Sequence, residues 1–534
     1  MCGRILHGTR ETSELSAVYA DWSEKGNART ADMNGFEGSD DPIILEKRLN
    51  KGRGHPAESV EGRGSAKGNA GKTATNRTLS RAGVSNGLTR VREAARRDRR
   101  AQMTALLHHV DEKLLEQSYH SLNPRAAAGV DGVTWQEYGK GLSEHIIDLH
   151  SRVHTGHYRA KPSKRLYLDK PDGRRRPIGI AALEDKIVQH AVGRVLGEVF
   201  EPEFAGFSYG FRPGRGQHDA LDALYVGLTD RRINWVLDAD IENFFDRLKH
   251  ERMMQFLAYR IGDRRILRLV RKWLRAGVSE EGTWSKTTEG IPQGAVISPL
   301  LANIYLNYVF DQWTVQWRKT HVQGDMIVVR YADDIIIGFE HREDALQYHK
   351  DLETRLGTFG LSLNPEKTRL IRFGRCEKNG KPDTFTFLGF RHQCGRTRKG
   401  AFKIRRTPDK KRMRRTLKRI KTALRNATHS PIPDTGRWLT RVLRGYNQYY
   451  GVPGTRNILD AFRTEVLKHW HAALRKRSQK SSLSWARFLR MALHWIPKAR
   501  ITHPYPSDRF YAIHPRQEPC ALGAHARICA GGTR

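Results

Sequence analysis

Asp333 and Asp334 stand side by side between two β-branched runs, in Met-Ile-Val-Val-Arg-Tyr-Ala-Asp-Asp-Ile-Ile-Ile-Gly-Phe from Met326 to Phe339. Carboxylates in so apolar a stretch are costly to desolvate unless a cation or hydrogen-bond donors offset their charge. A hard divalent metal is the offset that oxygen donors suit. Upstream, Trp235-Val-Leu-Asp-Ala-Asp-Ile-Glu-Asn-Phe-Phe-Asp246 carries Asp238 and Asp240 two residues apart, hence on one face of a strand. One carboxylate from each stretch, brought together, makes a site for two Mg²⁺ ions, the arrangement that clamps attacking and leaving oxygens in phosphoryl transfer. A solvated hairpin turn is the competing reading of Asp333 and Asp334 taken alone.

Such a site needs strands to carry the acids and basic elements to hold a phosphate-bearing substrate. The Met326–Phe339 run predicts a tight hairpin with the two acids at its tip. Tyr158 to Ile180 predicts a second strand-turn-strand, bending at Pro171-Asp-Gly173, with Lys170, Arg174 and Arg176 near the bend and able to face a triphosphate. Helices are expected over Arg97–Leu122, Leu183–Phe200, Trp438–Tyr450 and Ile458–Leu474, and Gly290–Asn307 reads as a turn leading into an apolar helix. Lys410 to Arg425 is dense in Lys and Arg and contains no acid. On a helical wheel Met413, Leu417, Ile420 and Leu424 form a narrow packing arc, which leaves Lys411, Arg414, Arg415, Lys418, Lys421 and Arg425 for a polyanion.

Composition points the same way. The chain has 534 residues, with 94 Lys and Arg against 57 Asp and Glu and a net charge of +37. Nucleic acid is the first partner expected of such a surface, ahead of a membrane. No apolar run of membrane-spanning length occurs, the first residues lack a signal-peptide core, and a cytoplasmic protein is expected. Five scattered cysteines without a Cys-x-x-Cys pair argue against a disulfide framework or a structural zinc, and Cys520, His525 and Cys529 lack a fourth ligand. Residues 1–95 are basic and poor in aromatics, and a disordered arm is expected there, either touching RNA or inert. Within it Gly68-Asn-Ala-Gly-Lys-Thr73 lacks the spacing of a phosphate-binding loop.

Tyr331-Ala-Asp-Asp334, Asp240-Ile-Glu-Asn-Phe-Phe-Asp246 and Gly290-Ile-Pro-Gln-Gly-Ala-Val-Ile-Ser-Pro-Leu-Leu301, with Ser208-Tyr-Gly-Phe-Arg-Pro213 upstream, resemble the palm motifs of reverse transcriptases. The wording is most similar to reverse transcriptase/maturases of bacterial group II introns, over Leu106 to Trp495. The resemblance implies an α+β right-handed polymerase, its fingers-palm reverse transcriptase domain spanning 158–395 after N-terminal extension helices at 96–157. An α-helical thumb/maturase domain would follow at 396–495, with a basic tail at 496–534. It implies that Asp240, Asp333, Asp334 and the Ile241 backbone carbonyl hold two Mg²⁺ ions, with Mn²⁺ as a substitute and Asp238 in support. Lys170 and Arg176 would meet the nucleotide's phosphates, and Phe245 would exclude a 2′-hydroxyl. Gln293 and Gly294 would support the template base, Lys367 would protonate pyrophosphate, and Phe387, Leu388 and Gly389 would form the primer grip.

The implied partners are group II intron RNA, an RNA template with a DNA primer, target DNA and dNTP, with nucleoid association during mobility. Many relatives carry a Cys-rich endonuclease after this point, and the residues from Pro497 onward are expected to hold none. A host-serving reverse transcriptase of defence or retron type, or a splicing factor with an inactive palm, are the rival functions.

Overall fold

The structure is a computed structural model that describes residues 87–169, 175–280, 282–375, 382–477 and 483–514. Helix α1 (87–97) buries Leu88, Val91 and Ala95 and joins Arg92 Nε to Glu198 Oε2 at 2.5 Å. The last residues assigned to a disordered arm are therefore packed; residues 1–86 lie outside the described set. The single helix expected over Arg97–Leu122 is instead interrupted. Asp98 turns the chain by accepting from the Arg100 and Ala101 amides, and Asp263 accepts from those of Leu106 and Leu107. Helix α2 (Glu112–Ser121) starts only at its own cap, Asp111, which accepts from Leu114 N. Helical spacing in the sequence could not foresee that a remote carboxylate would claim those amides.

Helix α3 (Leu142–Thr155) leads to β1 (Ser163–Asp169) and β2 (Arg175–Ile180), an antiparallel pair with Lys164 opposite Ile180. Helix α4 (Leu183–Phe200) is apolar on most sides and is correspondingly buried on most sides. Helix α5 (Gln217–Asp230) precedes β3 (Trp235–Asp240); α6 (His250–Ala258) and α7 (Arg264–Arg275) follow. Two short strands, β4 (Val278–Glu280) and β5 (Thr283–Ser285), complete a sheet of order β2-β1-β4-β5.

Helix α8 (Ser298–Leu306) is buried throughout and runs through a π-helical turn, Asn307–Asp311, into α9 (Gln312–His321). The hairpin β6 (Met326–Tyr331) and β7 (Asp334–Phe339) then joins β3 and, beyond α10 (Arg342–Gly357), β8 (Arg369–Arg372) in an antiparallel sheet of order β6-β7-β3-β8. Both strands of the hairpin are apolar because they are covered: Ile327 to Val329 and Ile335 to Ile337 are buried. A third sheet, β11-β10-β9, comprises β9 (Phe385–Phe387), β10 (Phe390–Arg396) and β11 (Phe402–Pro408).

The rest is helical. Helix α11 (Lys410–Asn426) lies against α13 (Arg456–Arg475), and α12 (Ile432–Tyr450) starts six residues earlier than expected, with a proline in its first turn. Helix α14 (Trp485–Ala492) precedes α15 (Pro506–Ile513), which packs on α5. Residues 496–514, expected to begin a loose basic tail, are held there by Arg509 with Asp219 and Asp222 and by Tyr511 with Asp230. No helix among the described residues is long and apolar enough to cross a membrane.

Candidate active site

The register of the central sheet puts Asp240, the last residue of β3, directly opposite Asp334, the first of β7, while Tyr331 faces Asp334 across the hairpin. Ala332 and Asp333 form the two-residue turn, with Ala332 at φ +57°. A left-handed alanine is strained, and the structure around it supplies the restraint. Arg330, fully buried, donates Nε to Asp311 Oδ1 at 2.7 Å, and Nη1 to Asn303 Oδ1 at 3.0 Å and to the Ala332 carbonyl at 3.2 Å. The π-helical turn that ends at Asp311 therefore anchors the acidic hairpin from beneath. Tyr209 N donates to Arg330 O at 2.8 Å, and Arg330 N to Phe207 O at 2.9 Å, which docks the Ser208–Pro213 segment along β6. A Cβ on Gly210 would fall 2.4 Å from Ala332 N, so that position has no room for a side chain.

Charge crowds at this tip. Crowding among neighbouring protein atoms first, and then Asp333, Asp240 and Asp238, push the Asp334 carboxyl up to about 7, although the residue itself is exposed. Burial also raises the Asp333 carboxyl, against its own backbone amide and the charge of Arg176, while Asp240 adds to the rise and Lys367 opposes it. Burial pushes Asp238 up to about 6 despite Arg369, 3.5 Å away. Lys367 Nζ reaches Asp240 Oδ2 at 2.8 Å, and half of the lysine side chain remains exposed. Asn364 N donates to Asp240 O and Glu242 N to Ser362 O, a wide pair that turns the Ile241 carbonyl away from 362–364.

The donors are oxygens in need of a cation, the set a hard divalent ion prefers. Among the described residues no three His, Cys, Asp or Glu side chains converge at metal-ligand geometry. The residues fit the ion in chemistry, and Lys367 now partners the carboxylate that the ion would share.

Arg176, on β2, donates Nε to Gln293 Oε1 at 2.8 Å, and Gly179 N donates to Gln293 O at 2.7 Å. Gly294, at φ +109°, lies so close to β2 that a Cβ would meet Gly179 O at 2.8 Å. The 290–295 loop is thereby sealed to the first hairpin, and Ile291 N donates to Phe245 O at 2.8 Å on its other side. Phe244 is in the core, while its neighbour Phe245 is half-buried with part of its ring free. Lys170 lies outside the described residues.

Leu388 and Gly389 form the two-residue turn of β9 and β10, both with positive φ, the geometry that matches strand twist. The Leu388 carbonyl accepts from Tyr449 Oη at 2.7 Å and the Gly389 carbonyl from Asp409 N at 3.0 Å, so Phe387–Gly389 is tied to α11 and α12. Asp409 also caps α11 by accepting from Arg412 N. Lys411, Arg414, Arg415, Lys418, Lys421 and Arg425 are all exposed on α11, while Ile420 and Leu424 are buried.

Sequence reasoning passed over the first turn of α5. There Gln217 hydrogen-bonds Tyr331, His218 stacks 3.8 Å from His503 and lies 5.3 Å from Tyr449, and Asp219 pairs with Arg509. Arg330, Asp311 and Asn303 were also passed over. A lone arginine inside an apolar strand was the available signal.

A family model described as reverse transcriptase (RNA-dependent DNA polymerase) matches residues 168–392, a span that includes both acidic strands and the β9–β10 turn. YkfC of Escherichia coli strain K12 is 32% identical over 327 residues, 55% of this chain and 83% of that protein. The group II intron-encoded protein LtrA of Lactococcus lactis subsp. cremoris is 34% identical over 201 residues, 37% of this chain and 33% of LtrA. This chain belongs to the group II intron reverse transcriptase/maturase family. The 91 kDa protein in the cob intron of Schizosaccharomyces pombe is a further relative of this reverse transcriptase, 26% identical over 419 residues, 64% of this chain and 50% of that protein. The chain thus spans half or less of two of these three relatives. Four of the five cysteines, including Cys520 and Cys529 of the tail, lie outside the described residues; Cys394 is a free thiol.

Proposed function

We propose that this intron reverse transcriptase copies RNA into DNA and also binds intron RNA to assist its splicing and mobility. The single observation that carries the polymerase reading is the β3–β7 register, which sets Asp240 opposite Asp334 and beside Asp333 with more negative charge than the nearby cations neutralise. Asp240, Asp333 and Asp334, with the Ile241 carbonyl, would hold two Mg²⁺ ions, or Mn²⁺ in their place; when bound, such ions activate a primer 3′-hydroxyl and neutralise pyrophosphate charge.

The chain's own residues do the positioning. Arg176, oriented by Gln293, meets the triphosphate as a cation, a role that the resemblance also gives to Lys170. The exposed part of the Phe245 ring closes the space under the sugar and favours dNTP over ribonucleotides. Gly294 lets the 290–295 loop lie flat against β2, where it supports the template base. Lys367 holds a proton at Nζ beside Asp240 for the departing pyrophosphate. Asp238 stabilises the arrangement without touching substrate. Leu388 and Gly389 present the primer end, backed by Tyr449, in the manner of a right-handed polymerase whose thumb is the helical region that begins at α11.

The exposed arginines and lysines of α11 support RNA binding by that helix, and through it the maturase role. The partners of this reading are intron RNA, an RNA template with its DNA primer, and target DNA. The test is a pair of variants. Asp333→Ala is expected to abolish DNA synthesis and spare RNA binding and splicing. A joint Lys/Arg→Ala change on α11 is expected to weaken both. Synthesis by Asp333→Ala would overturn the site. If both variants splice normally, the maturase role fails. A host-serving enzyme is separated from this reading by the flanking DNA, where a group II ribozyme is expected.

A further inference from the structure

Helix α7 carries a second set of cations, remote in sequence from α11. Arg264, Arg268, Arg271 and Arg275 recur at intervals of four, three and four residues. At 3.6 residues per turn they fall within an arc of about 60° and along a line of about 16 Å. All four are exposed, and none of their guanidinium groups has an ion pair or hydrogen bond among the described residues. Their neighbours on the helix are engaged: Arg265 pairs with Asp263, and Lys272 donates to the carbonyls of Gly156 and Tyr158. Asp263 itself is buried and also accepts from the Leu106 and Leu107 amides, so it does not neutralise the stripe. On the opposite side of the helix Ile266, Leu269, Val270, Trp273 and Leu274 are in the core. Unpaired arginines in a row repel one another and remain a cost to the free protein that a line of phosphates removes.

A separate feature lies at the C-terminal end of the stripe. Trp284 on β5 is 56% exposed, yet its indole is held in place, because Nε1 donates to Ala276 O at 3.2 Å, one residue beyond α7. Gly277, at φ +81°, makes that approach possible: a Cβ there would sit 2.5 Å from Nε1. A fixed, open ring beside a row of guanidinium groups matches the requirements of an unpaired strand, whose bases stack on aromatic faces while its phosphates follow cations. Exposed Lys286 and Arg159 extend the positive rim; the hairpin contributes Glu280 on β4 and, outside the described residues, Glu281. The sheet order β2-β1-β4-β5 places Trp284 on the edge strand opposite β2, which bears Arg176. Three strand spacings, about 14 Å, separate the two edges.

We infer that α7 and Trp284 form a binding surface for an unpaired segment of RNA, outside the cleft that holds template, primer and nucleotide. This rests on the RNA-binding reading above. An RNA held there would be tethered while the acidic hairpin remains free for a different strand.

The test uses the full chain, a labelled single-stranded oligouridylate as probe, and three variants: Arg268→Ala/Arg271→Ala/Arg275→Ala, Trp284→Ala, and the joint α11 change. The triple variant is expected to reduce the slope of log K against log salt by about 2, since each single-strand phosphate contact contributes about 0.7. Trp284→Ala is expected to weaken binding about 10-fold with the slope unchanged. Extension of a short primer on a short template is expected to be unaltered in both. An unchanged salt slope in the triple variant overturns the proposal, as does a loss of short-template extension that leaves oligouridylate binding intact. If the unaltered protein does not bind oligouridylate, the RNA-binding reading itself fails. If it binds and only the α11 variant weakens it, the α7 surface alone is refuted.

Discussion

The tip of the β6–β7 hairpin and the outer face of α11 are both highly charged, and they handle charge in opposite ways. At the tip, carboxylates are crowded together and partly desolvated, and Asp334 is driven up to about 7. On α11, basic side chains stand apart in solvent, where water screens them and the packing face does not involve them. On the proposed reading, charge meant for chemistry is held rigidly at an energetic cost, whereas charge meant for a polyanion stays solvated and adaptable. The supports differ accordingly. The hairpin rests on a buried Arg330–Asp311 pair and a close-packed Gly210, while α11 packs through Ile420, Leu424 and the half-buried Met413 and Leu417 behind a capped first turn.

The strongest way to test that contrast is to remove the buried support. Arg330→Met leaves Asp311 unpaired in the core and is expected to cost about 3–5 kcal/mol in a denaturant melt. A joint Lys/Arg→Ala change on the α11 face should stay within about 0.5 kcal/mol per residue. Equal losses would mean that the two regions are not built differently.

The acidic tip also predicts an intermediate effect of pH. Asp334 holds its proton more tightly in the folded chain than in the unfolded chain, where 3.8 is ordinary. Stability therefore falls as pH rises from about 4 through about 7, the reverse of a salt-bridged carboxylate. Asp238 adds the same sign up to about 6. Asp334→Asn is expected to raise Tm at pH 8 without metal. It is also expected to diminish the gain in Tm that Mg²⁺ confers on the unaltered protein, as read by differential scanning fluorimetry. A metal response that is the same at pH 6 and pH 8 would contradict the crowded-carboxylate account.

The smallest effect concerns the β9–β10 turn, which is tied to the start of α11 through Asp409 and to α12 through Tyr449. Tyr449→Phe removes the hydroxyl that reaches the Leu388 carbonyl, at a cost of about 1 kcal/mol. It is expected to raise the apparent KM for primer-template more than it lowers kcat. An equal fall in kcat would place Tyr449 in the chemistry.

Much of the candidate site was legible because it is local. Adjacent acids between β-branched runs signalled a hairpin tip, alternation placed Asp238 and Asp240 on one face, and the amphipathic period of α11 separated packing from cationic residues. The errors lie where a distant group intervenes. Asp263 captures the amides that would have continued a helix across residues 98–111, and Asp219 and Asp222 draw Arg509 and the segment around it onto α5.

By itself the sequence determined which residues can ligate, stack or bind phosphate, and on which face of its own element each one sits, because those properties follow from side-chain chemistry and backbone period. Only the tertiary structure decided that Asp240 lies opposite Asp334, that Arg330 finds Asp311, and that Gln293 holds Arg176. Strand register and the partner of a buried charge are set by the joint packing of segments far apart in the chain, and no local pattern encodes them.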